Sequence, residues 1–383
     1  MDKNTLGNPC EKHSSFPQFV GECRHVKLNE ICSKGKSSLR QKDVTNDGPY
    51  SVYGASGVVG TTSDYQNEIP YVAVIKDGAG VGRASACEPM TSVLGTMQAL
   101  IPNPNVERDY LLYIVRSLRL DEGFSGSTIP HIYFKDYGKI EVPLPSLEAQ
   151  KRIASQLGLI ESQIEQAEAQ ITQFDQLVKS RFVEMFGDLL KNSKGQTLDD
   201  ISELITVGIA NAATHAYADK GTIMFRNLNI RENRLDDTDL ISIRPEFAAK
   251  YKKKALKSGD ILVTRTGYPG VACIVPEKYA GCQTFTTLIV RLDASSGASA
   301  TFVSQYINSP LGKEYVNKMK AGSSQQNFGA TSLKSMPIVV PPLALQQEFA
   351  DFVSQVDKLR FETQQQIEKL ETLKKSLMQK YFG

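Results

Sequence analysis

Two short segments place a cation two residues before a glycine, each directly after a run of aliphatic and β-branched residues. The first is Lys76-Asp-Gly78 and the second is Arg265-Thr-Gly267. Glycine allows a backbone to approach a partner closely, and a lysine or arginine suits a phosphate group. The segments therefore predict two equivalent phosphate contacts, and an ordinary hairpin with an exposed cation is the alternative explanation.

Other basic residues add to this signal. The run Lys250-Tyr-Lys-Lys-Lys254 interleaves an aromatic residue with four lysines, although runs of this kind are usually solvated surface. The net charge of the chain is only +2, so the evidence for an anionic partner rests on local clustering. The candidate phosphate-contacting residues are Lys76, Gly78, Arg83, Arg226, Lys252, Lys254, Arg265 and Gly267.

The motifs of several enzyme classes are missing from the sequence. It contains no Gly-x4-Gly-Lys-Ser/Thr loop, no His-Glu-x-x-His pair, no Gly-x-Ser-x-Gly elbow and no Asn/Asp-Pro-Pro-aromatic motif of an amino-methyltransferase. The glycine-rich run Asp77–Gly82 is not followed by a helix start, which argues against a nucleotide site. We predict no catalytic residue and no cofactor; an unrecognised active site near Asp77 and Arg83 is the alternative.

The composition is that of a globular chain with more than one domain. The chain has 383 residues, 41% hydrophobic and 22% charged, and no apolar run long enough to cross a membrane. Cys10, His13, Cys23 and His25 are the one group that resembles a metal-ligand set, but their spacing is unusual for structural zinc. We predict no metal, reduced thiols and a cytoplasmic protein without membrane attachment.

The second half of the chain repeats the first at an offset of 196 residues. Pro-Ser-Leu-Glu-Ala-Gln at 145–150 returns as Pro-Pro-Leu-Ala-Leu-Gln at 341–346, and Phe-Gly at 186–187 returns at 382–383. A duplicated chain usually presents two similar surfaces. Each half begins with short β-branched runs between Gly, Pro and Asn turns, which predict strands. An amphipathic stretch near the end of each such region predicts a short helix, at 110–117 and at 302–309.

A long helix is predicted after each of these mixed regions. From 147 to 187 the apolar residues fall alternately four and three positions apart, which is the seam of a coiled coil. Gly187 is the expected stop. The second copy keeps the seam but has Arg360, Thr363 and Lys374 within it, and such polar residues can fix register or orientation. The predicted seam residues are Ile153, Leu157, Ile160, Ile164, Ile171, Phe174, Phe349, Val353, Val356, Ile367 and Leu370.

We expect the two long helices to pair with each other; packing of each helix on its own domain alone is the alternative. A helix of this length is about 60 Å long, at about 1.5 Å per residue. It would overhang a domain of roughly 120 residues, whose radius of gyration is about 14 Å.

The order of these motifs resembles the specificity subunit of a type I restriction–modification system. Tyr53-Gly54 in its glycine-rich hairpin resembles a family hairpin, and the segment 145–150 resembles the entry to the family's spacer helix. Cys23 and Gln196 stand where the family often has an aromatic residue. The other matching motifs are Phe16-Pro-x-Phe-x-Gly21, Val26-Lys-Leu-x-x-Ile31, Gly126-Ser-Thr128, Leu198-x-x-Ile201, Gly259-Asp-Ile-Leu262 and Gly322-Ser323.

The resemblance implies an α/β (α+β) fold. Two similar target-recognition domains would be separated by two long helices that form an antiparallel coiled-coil spacer, with pseudo-twofold symmetry. The expected bounds are an N-terminal tail at 1–19, recognition domain 1 at 20–145, the central spacer helix at 146–187, recognition domain 2 at 188–341 and the C-terminal spacer helix at 342–383.

The resemblance also implies a function. Each recognition domain would read one half of a split double-stranded DNA target, so the candidate phosphate-contacting residues would face DNA. Two methylation subunits would dock on the spacer, restriction subunits would join the full complex, and the specificity subunit itself would perform no chemistry. A non-catalytic two-domain coiled-coil scaffold that binds protein partners is the alternative function.

Overall fold

The computed structural model forms two compact units. Unit 1 comprises Met1–Glu168 with Gln365–Gly383, and unit 2 comprises Ala169–Gln364. The residues that the structure describes are 23–122, 130–191, 196–210, 213–320 and 327–383. The predicted tail at 1–19, the motif that begins at Phe16, and the motifs at Gly126–Thr128 and Gly322–Ser323 lie outside the described residues.

Strands and helices alternate along the described chain. The strands are β1 (Arg24–Lys27), β2 (Cys32–Lys34), β3 (Tyr50–Gly54), β4 (Gly57–Thr62), β5 (Tyr71–Ile75), β6 (Ala84–Cys87), β7 (Ser92–Val93), β8 (Met97–Pro102), β9 (Glu141–Leu144), β10 (Ser202–Val207), β11 (Tyr217–Ala218), β12 (Thr222–Phe225), β13 (Ile230–Arg231), β14 (Arg234–Leu235), β15 (Ile241–Ile243), β16 (Ile261–Val263), β17 (Ala272–Ile274), β18 (Gln283–Thr284) and β19 (Leu288–Leu292). The helices are α1 (Leu28–Ile31), α2 (Arg108–Ser117), α3 (Phe134–Tyr137), α4 (Leu147–Lys191), α5 (Pro245–Ala249), α6 (Ala300–Asn308), α7 (Pro310–Lys320), α8 (Ala330–Lys334) and α9 (Leu343–Phe382).

The two units share one type of four-stranded sheet. Its order is β2-β8-β5-β6 in unit 1 and β10-β19-β16-β17 in unit 2, with antiparallel neighbours throughout. In unit 1 the central strand β5 is buried on both faces: Val72 and Val74 enter one apolar cluster, whereas Tyr71, Ala73 and Ile75 enter another. Side chains of a strand alternate between its faces, so a continuous apolar run predicts this sandwiched position.

A second, smaller sheet differs between the units. Its order is β4-β3-β7 in unit 1 and β11-β15-β12-β18 in unit 2. Both contain one parallel pair, β3 with β7 and β12 with β18. In unit 1 the strand after β3 follows within two residues, whereas in unit 2 the chain from β12 to β15 includes the β13–β14 hairpin. The duplication therefore preserved one sheet and altered the other.

The predicted helices are present. The stretches at 110–117 and 302–309 correspond to α2 and α6, whose apolar residues lie in the cores of units 1 and 2. The long helices are α4, of 45 residues, and α9, of 40 residues. The predicted stop at Gly187 is wrong. The helix continues through it to Lys191 because Phe186 and Leu190 are buried in the core of unit 2, and Gly187 has no positive φ that would end the helix.

The two long helices pair in an antiparallel sense within each unit. In unit 1 the hydroxyl of Tyr381 donates to Oε1 of Gln156 at 3.0 Å. In unit 2 Nη2 of Arg181 donates to Glu348 at 2.8 Å. Among the predicted seam positions, Ile153, Leu157, Ile160, Phe349, Val356 and Ile367 are buried, whereas Ile164, Ile171, Phe174, Val353 and Leu370 are half-buried. The helices also pack on their own domains, since Ile153 and Leu157 belong to the core cluster of unit 1.

The polar interruptions of the seam have partners. Arg360 forms ion pairs with Asp175 and Asp357, and Lys374 forms one with Glu161. The hydroxyl of Thr363 donates to the carbonyl of Leu359 at 2.9 Å. A buried ion pair stabilises little by itself, but loss of one partner is costly because a charge then remains buried without compensation.

The repeated Pro-x-x-x-x-Gln segment forms the same amide clamp in both units. Oε1 of Gln150 accepts from the backbone N–H of Glu107 at 2.9 Å, and its Nε2 donates to the carbonyl of Pro145 at 3.0 Å. Oε1 of Gln346 accepts from the N–H of Ser299 at 2.8 Å, and its Nε2 donates to Pro341 at 2.8 Å. Glu107 and Ser299 are the N-cap residues of α2 and α6. The clamp thus joins the start of each long helix to the start of each short one.

Replacement of the clamp amide is expected to destabilise unit 1. Gln150 is 1% exposed, so Gln150→Leu would leave the N–H of Glu107 and the carbonyl of Pro145 buried without partners. We expect a loss of about 2–4 kcal/mol in the free energy of unfolding, measured by urea unfolding of the full chain. Gln163→Leu, at an exposed position of the same helix, is the matched control. Equal stability of the two variants would contradict a structural role for the clamp.

Candidate functional site

The loop that joins β5 to β6 carries the first candidate cation. The backbone N–H of Lys76 donates to the carbonyl of Thr96 at 3.0 Å, and its own carbonyl accepts from the N–H of Ile132 at 3.0 Å. The neck of the loop is closed by two further bonds, from Ile75 N–H to the carbonyl of Arg83 and from Gly82 N–H to the carbonyl of Ile75. The backbone at Lys76 is therefore held from both sides.

The loop that joins β16 to β17 repeats these backbone hydrogen bonds, which we call the loop frame: one bond to the carbonyl of the cation and two that close the base of the loop. The carbonyl of Arg265 accepts from the N–H of Phe328 at 3.0 Å, and Phe328 lies 196 residues after Ile132. The neck is again closed by two bonds, from Thr264 N–H to the carbonyl of Val271 and from Gly270 N–H to the carbonyl of Thr264. Lys76 and Arg265 therefore occupy equivalent places in the two units.

Glycines open the tip of each loop. Gly78 has a φ of +86° and Gly267 a φ of +76°, and a Cβ atom at either position would have no heavy atom within 4 Å. Side chains other than glycine are strained in this conformation. The backbone lacks a side chain next to a cation at both tips; it is exposed at Gly267 and half-buried at Gly78, whose N–H donates to the carbonyl of Pro130.

The candidate cations differ in their surroundings. Lys76 and Arg265 are half-buried, and neither forms an ion pair within the described part of the chain. Nε of Arg265 is buried without a hydrogen-bond partner. Arg83 is exposed, its Nε bonds the carbonyl of Gly80 at 3.4 Å, and its equivalent in unit 2 is Val271. Arg83 therefore has no counterpart in the second loop.

The remaining candidate cations, Arg226, Lys252 and Lys254, lie outside the two loops. Nη2 of Arg226 donates to the carboxylate of Asp239 at 2.7 Å, which neutralises much of its charge. Lys252 is exposed at the start of a short 3-10 turn, and Nζ of Lys254 donates to the carbonyl of Gly208 at 3.1 Å. These contacts do not bring the lysine run to the Arg265 loop.

Side-chain hydrogen bonds beside the cations were not predicted from the sequence. In unit 1, Nδ1 of His131 lies 2.7 Å from Oδ1 of Asp77, and each side chain is about one-third exposed. In unit 2, Nδ2 of Asn227 donates to Oγ1 of Thr266 at 2.7 Å, and the hydroxyl of Tyr268 donates to the carbonyl of Asn227 at 2.8 Å. The sequence signal for Asp77 and Thr266 was their place directly after the repeated cation.

One carboxylate in each unit joins the mixed sheet-and-helix region of that unit to a long helix. Glu161 of α4 accepts from the hydroxyl of Tyr113 at 3.0 Å and from Nη1 of Arg116 at 2.9 Å, and it pairs with Lys374 of α9. Burial alone would raise the pKa of Glu161, but the hydrogen bonds and the charges of Lys374 and Arg116 outweigh it and lower that pKa.

The carboxylate of unit 2 is Glu232, in the turn of the β13–β14 hairpin. It pairs with Lys179 of α4 at 2.6 Å and also with Lys313 of α7. Burial opposes ionisation, and the two lysines outweigh it, so the pKa of Glu232 is also lowered.

The part of the chain that the structure describes contains no cluster of His, Cys, Asp and Glu that could hold a metal ion. Cys10 and His13 lie outside this part. Burial raises the pKa of Cys32 and of Cys273 to about 12, so these thiols stay protonated near neutral pH. No described helix is long and apolar enough to span a membrane.

The stability due to Glu161 is expected to depend on pH. Its folded-state pKa lies below the ordinary value of 4.5, so its contribution is present above that pH and is lost as the pH falls through the folded pKa. Glu161→Gln should therefore be less stable than the parent near pH 7, and the difference should shrink below about pH 4. Urea unfolding of both proteins between about pH 3 and pH 7 measures the difference in the free energy of unfolding. Glu165→Gln, at an exposed site, is the control. A difference that stays constant with pH would contradict the assignment.

Sequence comparison places the chain among known proteins. A family model described as type I restriction modification DNA specificity domain matches residues 22–173 and 191–372. The MjaIX specificity subunit of Methanocaldococcus jannaschii, a type I restriction enzyme subunit, is 24% identical over 339 residues, which cover 82% of this chain and 74% of the relative. The EcoKI specificity subunit of Escherichia coli K12 is 20% identical over 280 residues, 67% of this chain and 60% of the relative.

Two solved structures share the fold. The S subunit of a type I restriction–modification system from M. genitalium has a TM-score of 0.59 at 16% identity, with 96% of this chain and 97% of that chain covered. A chain from a structural study of complex assembly in the type I system has a TM-score of 0.56 at 13% identity, with coverages of 96% and 98%. The predicted fold class, two similar mixed domains with two long helices, is confirmed.

Proposed function

Because this chain belongs to the family of type I restriction–modification DNA specificity subunits, we propose that it reads a bipartite DNA target, with one half-site contacted by each unit. The observation that carries the proposal is the loop frame built twice, in which Lys76 and Arg265 have equivalent backbone bonds beside an open glycine. Two equivalent cations, each two residues before a positive-φ glycine, suit two phosphate contacts, one in each half-site. The recognition regions would be 20–145 and 188–341.

The two half-sites would differ in sequence. The preserved sheet supports the same loop frame in both units, whereas the smaller sheet has different strands in each. Phosphate contacts position a protein on DNA, and base contacts specify the sequence. The same loop frame beside a different smaller sheet therefore suits two units that contact the DNA backbone in the same way and read different bases.

The long helices would act as the spacer and as the docking surface for partners. Two methylation subunits would bind them, one for each half of the chain, and restriction subunits would join the full complex. The specificity subunit would contribute recognition and no chemistry of its own. The seam residues, such as Leu157 and Phe349, would hold the spacer together because they are fully buried.

Removal of either loop cation is expected to weaken DNA binding without changing the sequence preference. Lys76→Ala or Arg265→Ala in the complex with methylation subunits should lower affinity for specific and non-specific DNA alike. The slope of log K against log salt should fall by about 0.9 for each phosphate contact that a substitution removes. Filter binding across a salt series measures both quantities.

Lys27→Ala is the control for this experiment, because Lys27 is exposed on β1 and lies outside the loop. An unchanged slope for both loop variants would exclude the phosphate contacts. Failure of the parent complex to retain any DNA would instead favour a protein-binding scaffold.

Lengthening the spacer is expected to widen the gap between half-sites. The two units divide after Glu168 in α4 and after Gln364 in α9, so four helix-favouring residues would be inserted at both points. Four residues add about 6 Å of helix and about 40° of rotation, and a coiled coil accommodates such an insertion by local unwinding. At about 3.4 Å per base pair, the gap should grow by one or two base pairs.

Methylation-sensitive sequencing of DNA from cells that carry the complete system measures the gap. The parent should give a bipartite motif, and the variant the same half-sites with a longer gap. Insertion of four Gly and Ser residues at the same two points is the control, since it adds residues without a rigid helical rise. An active variant that retains the parental gap would show that the helices do not set it.

A further inference from the structure

The two loops keep one backbone frame but differ in the side chain that follows the cation. Asp77 follows Lys76 in unit 1, and Thr266 follows Arg265 in unit 2. On the basis of the proposed function, we propose that Asp77 and Thr266 contact base edges, one in each half-site, and thereby set part of the sequence preference. The neighbouring cations would fix the docking position.

In unit 1 an acidic residue beside a phosphate-contacting lysine requires an explanation. A carboxylate near the DNA backbone would be repelled by phosphate, so it is unfavourable at this place unless it meets a donor. The amino groups of cytosine and adenine in the major groove are such donors. Asp77 is 30% exposed at its side chain, and His131 at 2.7 Å orients one carboxylate oxygen, which leaves the other available.

In unit 2 the equivalent residue is neutral. Oγ1 of Thr266 accepts from Nδ2 of Asn227 at 2.7 Å, so its hydroxyl proton remains available to donate. Thr266 is half-buried, and Gly267 after it is exposed with an open, positive-φ backbone. A hydroxyl that donates suits an acceptor on a base, such as guanine O6 or thymine O4, whereas Asp77 suits an amino group. The two loops would thus read different bases from one frame.

A clasp that merely holds the loop is the competing explanation for the Asp77–His131 contact. The backbone already provides that clasp, because Ile132 N–H donates to Lys76 and Gly78 N–H donates to Pro130, both at 3.0 Å. The same backbone bond is present at Arg265, where Asn227 contacts Thr266 in place of an acid–histidine pair. The backbone bonds are common to the two loops and the side-chain partners differ, so the side chains are the part of the loop that can serve recognition.

Methylation-sensitive sequencing of cells that carry the complete system tests the inference. Asp77→Asn keeps the shape of the side chain, and Asp77→Thr copies the chemistry of unit 2. Both should change the preference at one or two base pairs of one half-site, with methylation of singly mismatched sites raised on the order of tenfold. Thr266→Val should alter the other half-site alone. In each variant the untouched half-site and the gap act as internal controls, and Glu141→Gln removes a charge from an exposed position on β9.

The outcomes separate this inference from the function on which it rests. If the parent gives no bipartite motif, the proposed function is wrong. If the parent gives one and both Asp77 variants retain the same bases, the base contact is wrong. A uniform loss of methylation with unchanged base preference would also overturn it, because that result belongs to a loop clasp.

Discussion

The geometry of each unit depends on one buried amide clamp. Gln150 and Gln346 are each 1% exposed and join the first turn of a long helix to the N-cap of a short one. Since the short helix cannot rotate about this point without leaving buried polar groups unpaired, its orientation is fixed. Other residues of the two short helices then meet their partners: Arg116 donates to Glu161 in unit 1, and the buried Asn308 accepts from the backbone N–H of Ala272 in unit 2. The clamp therefore fixes how the short helix lies against the start of the long helix in each unit.

From this shared base the two units diverge where recognition is proposed. The four-stranded sheet keeps its order because its central strand is packed on both faces, so a change on either face would disturb a core cluster. The smaller sheet has different strands in the two units, and in unit 2 a separate hairpin, β13–β14, lies between two of its strands along the chain and carries Glu232, which pairs with Lys179. Duplication thus retained the parts that position a loop and varied the parts around it. This is the pattern expected of two readers with a common docking mode.

The sequence predicted the repeat, the coiled-coil seam and the equivalence of Lys76 and Arg265, because each is a local pattern of residue types. Prediction from the sequence failed where contacts between distant segments determine the structure. Gly187 has the character of a helix stop, yet packing of its neighbours carries the helix through it. The partners of Glu161 come from α2 and α9, and no residue spacing along the chain predicts these contacts. Arg265 follows Lys76 by 189 residues, not 196, so the fixed offset does not align them; the backbone bonds to Ile132 and Phe328 show that the two residues occupy equivalent places.

The half-buried charges of the seam also bear on which helices pair. Glu161 of α4 pairs with Lys374 of α9 in unit 1, and Asp175 of α4 pairs with Arg360 of α9 in unit 2, whereas Arg181 of α4 pairs with Glu348 of α9 in the opposite sense. If two copies of α4 paired in the same register, Glu161 would face Val178, which lies 196 residues before Lys374. That arrangement would take Lys374 away from Glu161 and leave Arg116 as its remaining cation, so a half-buried carboxylate would be less well compensated. The duplicated helices have therefore become complementary to each other, and the polar residues that weaken the seam favour pairing within one chain over pairing of like helices.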